Sequence, residues 1–218
     1  MLRTLTIIAR LGRMAAVLAA HDALIPKEYA QRVPAPLRWA NGILRLGRRR
    51  DADLAPGVRL AKALERLGPS AIKMGQFLAT RPDLVGSDLA RGLEALQDRL
   101  PPFPDADARA LIEREFGKPL AQIFSKFGSA VAAASIAQVH EAQTADELPQ
   151  TVAVKVLRPG IEERFTRDFE AFRFAARWAE KLSAEARRLR FVAVVDTLAQ
   201  SVTMELDLRM EAAAASEL

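Results

Sequence analysis

A run of β-branched residues from 151 to 157 constrains the fold more than any other feature of this chain. Its valines occupy every second position and Lys155 faces the opposite side, which is the pattern of a strand with one buried face. The apolar stretch 135–142 precedes it, and the intervening residues 143–150 are polar. Two apolar stretches joined by a polar loop predict a β-hairpin. The chain therefore changes to strand character near Ser129.

The remainder of the chain carries helical periodicity, interrupted by proline and glycine. Of its residues 50% are hydrophobic but only 6% are aromatic, a balance that favours helix over strand. Asp105 is predicted to cap a helix that Gly117 closes. The predicted helices span residues 2–20, 58–67, 70–80, 87–98 and 105–116 before the hairpin, and 162–190 and 192–217 after it. The expected fold class is α+β and mainly α, with one small antiparallel sheet.

The composition excludes several kinds of chemistry. The chain has no cysteine, so disulfides, thiolate metal sites and thiol catalysis are excluded. His21 and His140 are its only histidines, and we predict no metal site in this chain. The net charge of +5 suits contact with phosphates of a nucleotide, a nucleic acid or an anionic lipid. With one tyrosine and two tryptophans to stack on bases, nucleic-acid binding is not expected.

The first helix leaves two interpretations open. Arg3, Arg10 and Arg13 fall on one side of it, which suits either an anionic lipid surface or packing onto the rest of the protein, and packing is favoured. No signal peptide and no transmembrane segment are predicted, because arginines interrupt the apolar stretch and no run approaches ~20 apolar residues. The basic run 48–50 is expected to be a solvated linker. The expected location is the cytoplasm, with peripheral attachment to the inner membrane as an option.

The hairpin contains the motif V-A-V-K at 152–155, preceded by A-A-A-S-I-A-Q-V-H at 132–140. In a kinase-like lobe, small residues let backbone amides approach nucleotide phosphates, and a strand lysine contacts the α- and β-phosphates. An acidic residue on the following helix must then hold that lysine. Alone, the motif is weak, because Lys155 could equally be an exposed lysine on a strand.

Further blocks make the pattern specific. In chain order they are G-P-S-A-I-K-M-G-Q at 68–76 with L-A-T-R-P-D-L at 78–84, L-Q-D-R-L-P-P-F at 96–103, A-A-A-S-I-A-Q-V-H at 132–140, V-A-V-K-V-L-R-P-G-I at 152–161, and E-L-D-L-R-M-E-A at 205–212. Together they closely resemble the UbiB family of atypical kinase-like proteins, whose signature is K-x-G-Q. The resemblance covers residues 58–218.

The resemblance implies a kinase-like fold that binds ATP or ADP with Mg²⁺. An alanine-rich loop stands where ordinary kinases have a glycine-rich loop, and it comprises Ala132, Ala133, Ala134 and Ser135. Because alanine restricts positive φ values, nucleotide affinity is expected to differ from that of a glycine-rich loop. Lys155 matches the phosphate-contacting lysine, and Glu211 is similar to the glutamate that pairs with it. The magnesium ligands are expected in a following lobe.

The same resemblance assigns Lys73 and Gln76 to a family-specific helix over the active site, anchored by the acidic pair Glu205 and Asp207. Spacing agrees, since Lys73 and Gln76 are three residues apart and share a helix face. Asp207 and Glu211 are four apart on the predicted helix 192–217, whereas Glu205 and Glu211 are about 120° apart around it. One helix is therefore predicted to serve two lysines. The alternatives are a packed lysine, ordinary surface carboxylates and helix-forming alanines that never meet a ligand.

No H-x-D catalytic loop and no D-F-G motif follow, so this chain alone is predicted not to turn over. The expected segments are a basic helical extension and linker at 1–57, a K-x-G-Q helical subdomain at 58–128, and a partial kinase-like N-lobe at 129–218, without the C-lobe. The leading hypothesis is the nucleotide-binding part of an atypical kinase or ATPase that supports ubiquinone biosynthesis. The alternative is a non-catalytic scaffold that binds an isoprenoid lipid, a membrane surface or other ubiquinone-biosynthesis proteins.

Overall fold

The computed structural model describes residues 2–24, 42, 53–96 and 100–216. The basic run 48–50 and most of the predicted linker lie outside these residues. By their contacts the residues form two units, which we call the helical unit (Met1–Gln97 with Arg164–Leu218) and the sheet unit (Asp98–Glu163). The three segments expected from the sequence stay a prediction.

The elements follow the predicted order of helices, sheet and helices. In chain order they are α1 (Leu2–Ala20), α2 (Pro56–Leu67), α3 (Pro69–Ala79), α4 (Pro82–Val85), α5 (Ser87–Leu93), α6 (Asp105–Phe116), a 3₁₀ turn (Leu120–Gln122), β1 (Phe124–Ala133), β2 (Ala137–Thr144), β3 (Thr151–Leu157), α7 (Ile161–Leu182), α8 (Ala184–Arg188), α9 (Phe191–Leu206) and α10 (Leu208–Ser216). The expected class, mainly α with a small antiparallel sheet, is confirmed. Within the described part of the chain, no helix is long and apolar enough to cross a bilayer.

In the helical unit, α2, α3 and α5 enclose an apolar core. Its buried members are Ala61, Leu64, Ala71, Leu93 and Leu96. The backbones of α2 and α5 cross in close contact, because a Cβ built on Gly92 would lie only 2.4 Å from the Cα of Gly57. Glycine at both positions permits this approach.

The basic side of α1 forms ion pairs with α7. Arg3 forms an ion pair with Glu170, and Arg10 forms one with the buried carboxylate of Asp168. Met14 and Ala19 add buried apolar contacts further along α1. Two of its three arginines are thus engaged within the protein, which favours packing over lipid contact for this face.

The sheet unit holds an antiparallel sheet in the order β1-β2-β3. One face of the sheet and α6 share a core that comprises Ala108, Ile112, Leu120, Phe124, Ala142 and Val156, with Val152 and Val154 packed against it. The predicted second strand is therefore confirmed with its valines inward. The sequence did not predict β1, whose alternation is broken by register irregularities at three places.

Several predicted helix boundaries are wrong. The helix expected over 162–190 is broken at Ser183, whose hydroxyl accepts a hydrogen bond from the Ala186 amide and starts α8. The helix expected over 192–217 is interrupted at Asp207. The helix expected over 87–98 ends at Leu93. Asp105 is the first helical residue of α6 and Pro104 holds the cap position, while Gly117 closes the helix with φ 63° as predicted.

We predict that Gly92→Ala destabilises the chain by about 1–3 kcal/mol in spite of the better helix propensity of alanine, because its Cβ meets backbone atoms that cannot rotate away. Gly12→Ala in α1 is the matched control, since nothing lies within 4 Å of a Cβ placed there. It should raise stability by up to about 1 kcal/mol. Urea unfolding measures both, and equal effects of the two substitutions would contradict the close crossing.

Candidate functional site

The K-x-G-Q helix α3 is held at its start by α7. Gly68, with φ 95°, separates α2 from α3. The Arg164 guanidinium donates to the Leu67 carbonyl at 2.9 Å. The Ser70 hydroxyl, in the first turn of α3, donates to the Asp168 carboxylate at 2.7 Å. These two side chains of α7 therefore set where α3 begins.

Asp168 joins three helices through one buried carboxylate. It is 4% exposed, and besides Ser70 it pairs with Arg10 of α1 and with Arg164 at 3.8 Å. A carboxylate removed from water is costly unless it is paired and hydrogen-bonded. Sequence reasoning missed Asp168, because an acidic residue inside an amphipathic helix carries no signal of its distant partners.

The structure brings Lys73 and Glu205 together. Their Nζ and Oε2 atoms lie 2.5 Å apart, and the Lys73 side chain is only 13% exposed. Glu205 lies in the last turn of α9, and Gln76 lies one turn beyond Lys73 on α3, half-buried. This ion pair joins the K-x-G-Q helix to α9.

Close packing explains why the third position of K-x-G-Q is a glycine. A Cβ on Gly75 would lie 2.3 Å from the Leu96 Cδ1 and 2.6 Å from the Leu64 Cδ1. Gly75 is two residues from Lys73 and hence on the far side of α3 at ~100° per residue. The helix thus presses its glycine side into the core and presents Lys73 on the other side.

Asp207 has a different contact from the one expected. Its carboxylate accepts hydrogen bonds from the Arg209 amide at 3.2 Å and the Arg209 Nε at 2.8 Å. The chain turns between α9 and α10 at this residue, so Glu205 and Glu211 belong to separate helices. The prediction that one helix carries all three carboxylates is wrong, because the Asp207 side chain hydrogen-bonds backbone that a continuous helix would use.

In the sheet unit, three residues form a row across the strands. Ala132 pairs with Val139, and Val139 pairs with Lys155. Directly opposed residues of antiparallel strands share one face, so these three lie together on the face opposite to Val154 and Val156. The sequence analysis did not predict that Val139 belongs to this row. The available signal was its position between the polar residues Gln138 and His140, which places it on the opposite face of the strand from them.

The alanine-rich loop is shorter than expected. Ala132 and Ala133 are the last residues of β1, which corrects their assignment to the loop. Ala134 and Ser135 lie in the turn, which is closed by a hydrogen bond from the Ala134 amide to the Ala137 carbonyl at 2.8 Å. β1 extends two residues into the expected loop, because alanine is compatible with the extended backbone of a strand as well as with a turn.

Two polar residues of A-Q-V-H form a buried network on the core face. The Gln138 amide group accepts from the Phe103 N–H at 2.9 Å and donates to the Phe103 carbonyl at 3.3 Å. Its Nε2 lies 2.9 Å from the Nε2 of His140, whose Nδ1 lies 2.9 Å from the Gly128 carbonyl. A proton on Nδ1 satisfies both contacts. The network fastens the P-P-F segment and β1 to β2, and His140 has a structural role here.

The two halves of the expected site belong to different units. Lys73, Gln76, Glu205, Asp207 and Glu211 lie in the helical unit, whereas Ala132 to Ser135 and Lys155 lie in the sheet unit. Lys155 is half-buried and Glu211 is exposed in the first turn of α10. Their pairing stays a prediction. In the described ranges, no group of three or more acidic or histidine side chains is arranged to bind a metal.

Comparison with known proteins identifies the family. A model of the ABC1 atypical kinase-like domain matches residues 95–218. A protein named probable protein kinase UbiB from Pseudomonas fluorescens Pf-5 is 44% identical over 190 residues, which cover 87% of this chain and 34% of the relative. This chain belongs to the UbiB family of atypical kinase-like proteins. The family predicted from the ordered sequence blocks is thereby confirmed.

Other UbiB relatives agree in identity and coverage. The one from Marinobacter nauticus VT8 is 46% identical over 166 residues, covering 76% of this chain and 30% of the relative. The one from Pseudomonas putida GB-1 is 42% identical over 184 residues, covering 84% of this chain and 32% of the relative. The chain thus spans about a third of the length of the curated UbiB relatives that it matches.

The contact between Arg209 and Asp207 predicts how the Asp207 carboxylate titrates. Its hydrogen bonds from Arg209 hold the pKa of Asp207 below the ordinary 3.8. The stabilising contribution of the ionised carboxylate is therefore present above the unfolded-state pKa and is lost as the pH falls through the lowered folded-state pKa. In Arg209→Ala, carbon-detected NMR should place the Asp207 titration midpoint higher than in the parent chain.

Asp83 is the internal control for this titration. Arg81 lowers the pKa of Asp83 through a separate pair of hydrogen bonds. Its midpoint should therefore stay low in Arg209→Ala. An unchanged Asp207 midpoint in that variant would show that Arg209 is not the cause.

Proposed function

We propose that this chain supplies the nucleotide-holding part of a UbiB-type atypical kinase or ATPase. The observation that supports it best is the cross-strand row of Ala132, Val139 and Lys155, which ends beside a tight turn of small residues. Such a face offers an apolar floor and a lysine. These are the parts that kinase-like folds use to bind the base and the phosphates of ATP.

The residues present fit a nucleotide. Lys155 would contact the α- and β-phosphates, and the turn at Ala134 and Ser135 would let backbone amides approach them, because neither side chain is large. Magnesium, when bound, would neutralise the charge of the phosphates. We propose that its ligands and the residue that orients the acceptor belong to parts of the longer UbiB protein beyond this match.

We further propose, from the family resemblance, that Lys73 and Gln76 act on the bound nucleotide and that Glu205 anchors Lys73. The 2.5 Å ion pair and the low exposure of Lys73 support a fixed helix. Glu211 is proposed as the partner of Lys155. Support for ubiquinone biosynthesis, with contacts to an isoprenoid lipid and to other biosynthetic proteins at the inner membrane, is proposed from the family resemblance.

Binding of Mg-ADP to this chain, measured by calorimetry, tests the proposal. Lys155→Ala should weaken binding by about tenfold or more, since a charge-assisted phosphate contact is lost. Lys126→Ala is the matched control, because Lys126 lies exposed on β1 of the same sheet and its removal changes the net charge equally. It should leave the affinity unchanged.

Two outcomes count against the proposal. Equal weakening by both substitutions would indicate non-specific attraction of phosphate to positive charge. No measurable binding by the folded parent chain, with helicity and unfolding midpoint checked first, would favour the non-catalytic scaffold instead.

A further inference from the structure

An open cleft of about 470 Å³ lies where α7 ends and α8 begins. We call it the basic cleft, and the side chains that line it are Arg177, Glu180, Lys181 and Arg187. The helix break at Ser183 shapes it, because in a continuous helix Arg187 would lie about 120° around the axis from Lys181. Instead, the Arg187 Nε donates to the Glu180 carbonyl at 3.1 Å, which holds Arg187 against the last turn of α7.

Among the described residues, no carboxylate pairs with the three cations of the basic cleft. By contrast, Arg188 beside them pairs with Glu185 at 2.6 Å. The Glu180 carboxylate is engaged elsewhere, since it accepts at 2.8 Å from a backbone N–H in the first turn of α9. Arg177 and Lys181 stand four residues apart on one helix face, where like charges repel each other. The cleft is therefore suited to an anion that comes from outside this part of the chain.

Beside the basic cleft, α7 carries an exposed apolar ridge formed by Trp178 and Leu182. The two residues are four apart and share a helix face, and they are 50% and 79% exposed. The Lys181 Nζ lies 5.3 Å from the centre of the Trp178 ring, so the ridge and the cleft adjoin. Large apolar side chains next to cations make this surface amphipathic.

We propose that the basic cleft and the apolar ridge form a docking surface for an anionic lipid membrane. Trp178 and Leu182 would enter the boundary between headgroups and acyl chains, where an indole ring and an aliphatic side chain are both stabilised. The cations of the cleft would meet the phosphates of anionic lipids. A soluble phosphate would account for the cations alone, because it offers nothing to cover the ridge. A membrane surface accounts for both features.

This surface deepens the membrane contact proposed above, and it shares no residue with the proposed nucleotide site. It also differs from the lipid contact considered for α1. Arg3 and Arg10 of α1 are engaged by Glu170 and Asp168, whereas the cations of the basic cleft face no carboxylate among the described residues. The end of α7 is therefore better placed than the basic side of α1 to meet an anionic surface.

Tryptophan fluorescence of the full chain tests the surface directly. In Trp39→Phe, Trp178 is the only tryptophan. With vesicles of phosphatidylcholine and phosphatidylglycerol, its emission should shift to shorter wavelength and be quenched by brominated lipids. Vesicles of phosphatidylcholine alone should leave the emission unchanged, and high salt should weaken the binding, because the attraction is electrostatic. An unchanged emission from the vesicle-bound chain would place the membrane contact elsewhere and overturn the proposal.

Substitutions in the surface should weaken sedimentation with the anionic vesicles. Arg177→Gln and Lys181→Gln should each weaken it about fivefold, because one cation near an anionic surface is lost. Leu182→Ala should weaken it about fivefold as well, because less apolar surface enters the membrane. The three side chains are exposed, and circular dichroism checks that the fold is intact.

α6 of the sheet unit provides the matched controls. Arg114 is an exposed arginine of this helix, and Phe116 is a large apolar residue that is 60% exposed. Arg114→Gln removes the same charge as Arg177→Gln, and Phe116→Ala removes an exposed apolar side chain. Neither should change vesicle binding. Equal weakening by these controls would show a response to overall charge and apolar surface, and would overturn the assignment to the end of α7.

Further outcomes separate this surface from the nucleotide site and from other anionic partners. Arg177→Gln should bind Mg-ADP as the parent chain does. If the parent chain binds Mg-ADP but no vesicles, the docking surface is wrong and the nucleotide site stands. If it binds vesicles but no Mg-ADP, the nucleotide site fails and the surface stands. If Arg177→Gln and Lys181→Gln weaken binding to an oligonucleotide or an acidic polypeptide while vesicles are ignored, the partner is not a membrane and the proposal is overturned.

Discussion

The buried carboxylate of Asp168 is the interaction on which the helical unit depends. It accepts from the Ser70 hydroxyl and pairs with Arg10 and Arg164, so α1, α3 and α7 share a single anion. Asp168 is only 4% exposed. Removing one of its partners therefore leaves a buried charge with less compensation, which destabilises the fold more than the loss of an exposed ion pair would. The position of Lys73, one turn after Ser70, follows from this junction, because an α-helix transmits the placement of its first turn rigidly along its length.

Motif residues in this chain divide into two kinds. Gly75, Gln138 and Arg158 fix backbone: the first lets α3 approach the core, the second fastens β2 to the Phe103 segment, and the third sets the turn before β2. Lys73 and Lys155 instead present charge from the elements so fixed. Blocks distant in sequence thus meet in space. Gln138 of A-Q-V-H hydrogen-bonds the Phe103 backbone, and Arg158 of V-L-R-P-G donates to the Pro101 carbonyl and lies over the Phe103 ring. That convergence gives a physical reason for several of the blocks to occur together.

Sequence periodicity predicted those elements whose pattern is uninterrupted. Helix 2–20 and strand 151–157 match closely because one face of each is continuously apolar. β1 was missed because its bulges break the alternation that defines a strand. The break at Asp207 was also missed, because a side chain that binds nearby backbone leaves the apolar period of its neighbours intact. Contacts such as Arg158 with Ala134 join residues 24 apart, and no local pattern encodes them.

The turn at Ala134 contains alanine where a glycine-rich loop would have glycine, so its backbone has fewer accessible conformations. A glycine-rich loop has many backbone states, and a ligand must select among them at an entropic cost. Here Ala134, Ser135 and Ile136 all have negative φ, since the described non-glycine residues with positive φ are Asp22 and Arg190. The turn therefore needs no glycine-like conformation, and the Arg158 guanidinium, which donates to the Ala134 carbonyl, fixes the remaining freedom, the orientation of the Ala134–Ser135 peptide. A turn that is ordered in this way before binding would lose less entropy when it meets an anion.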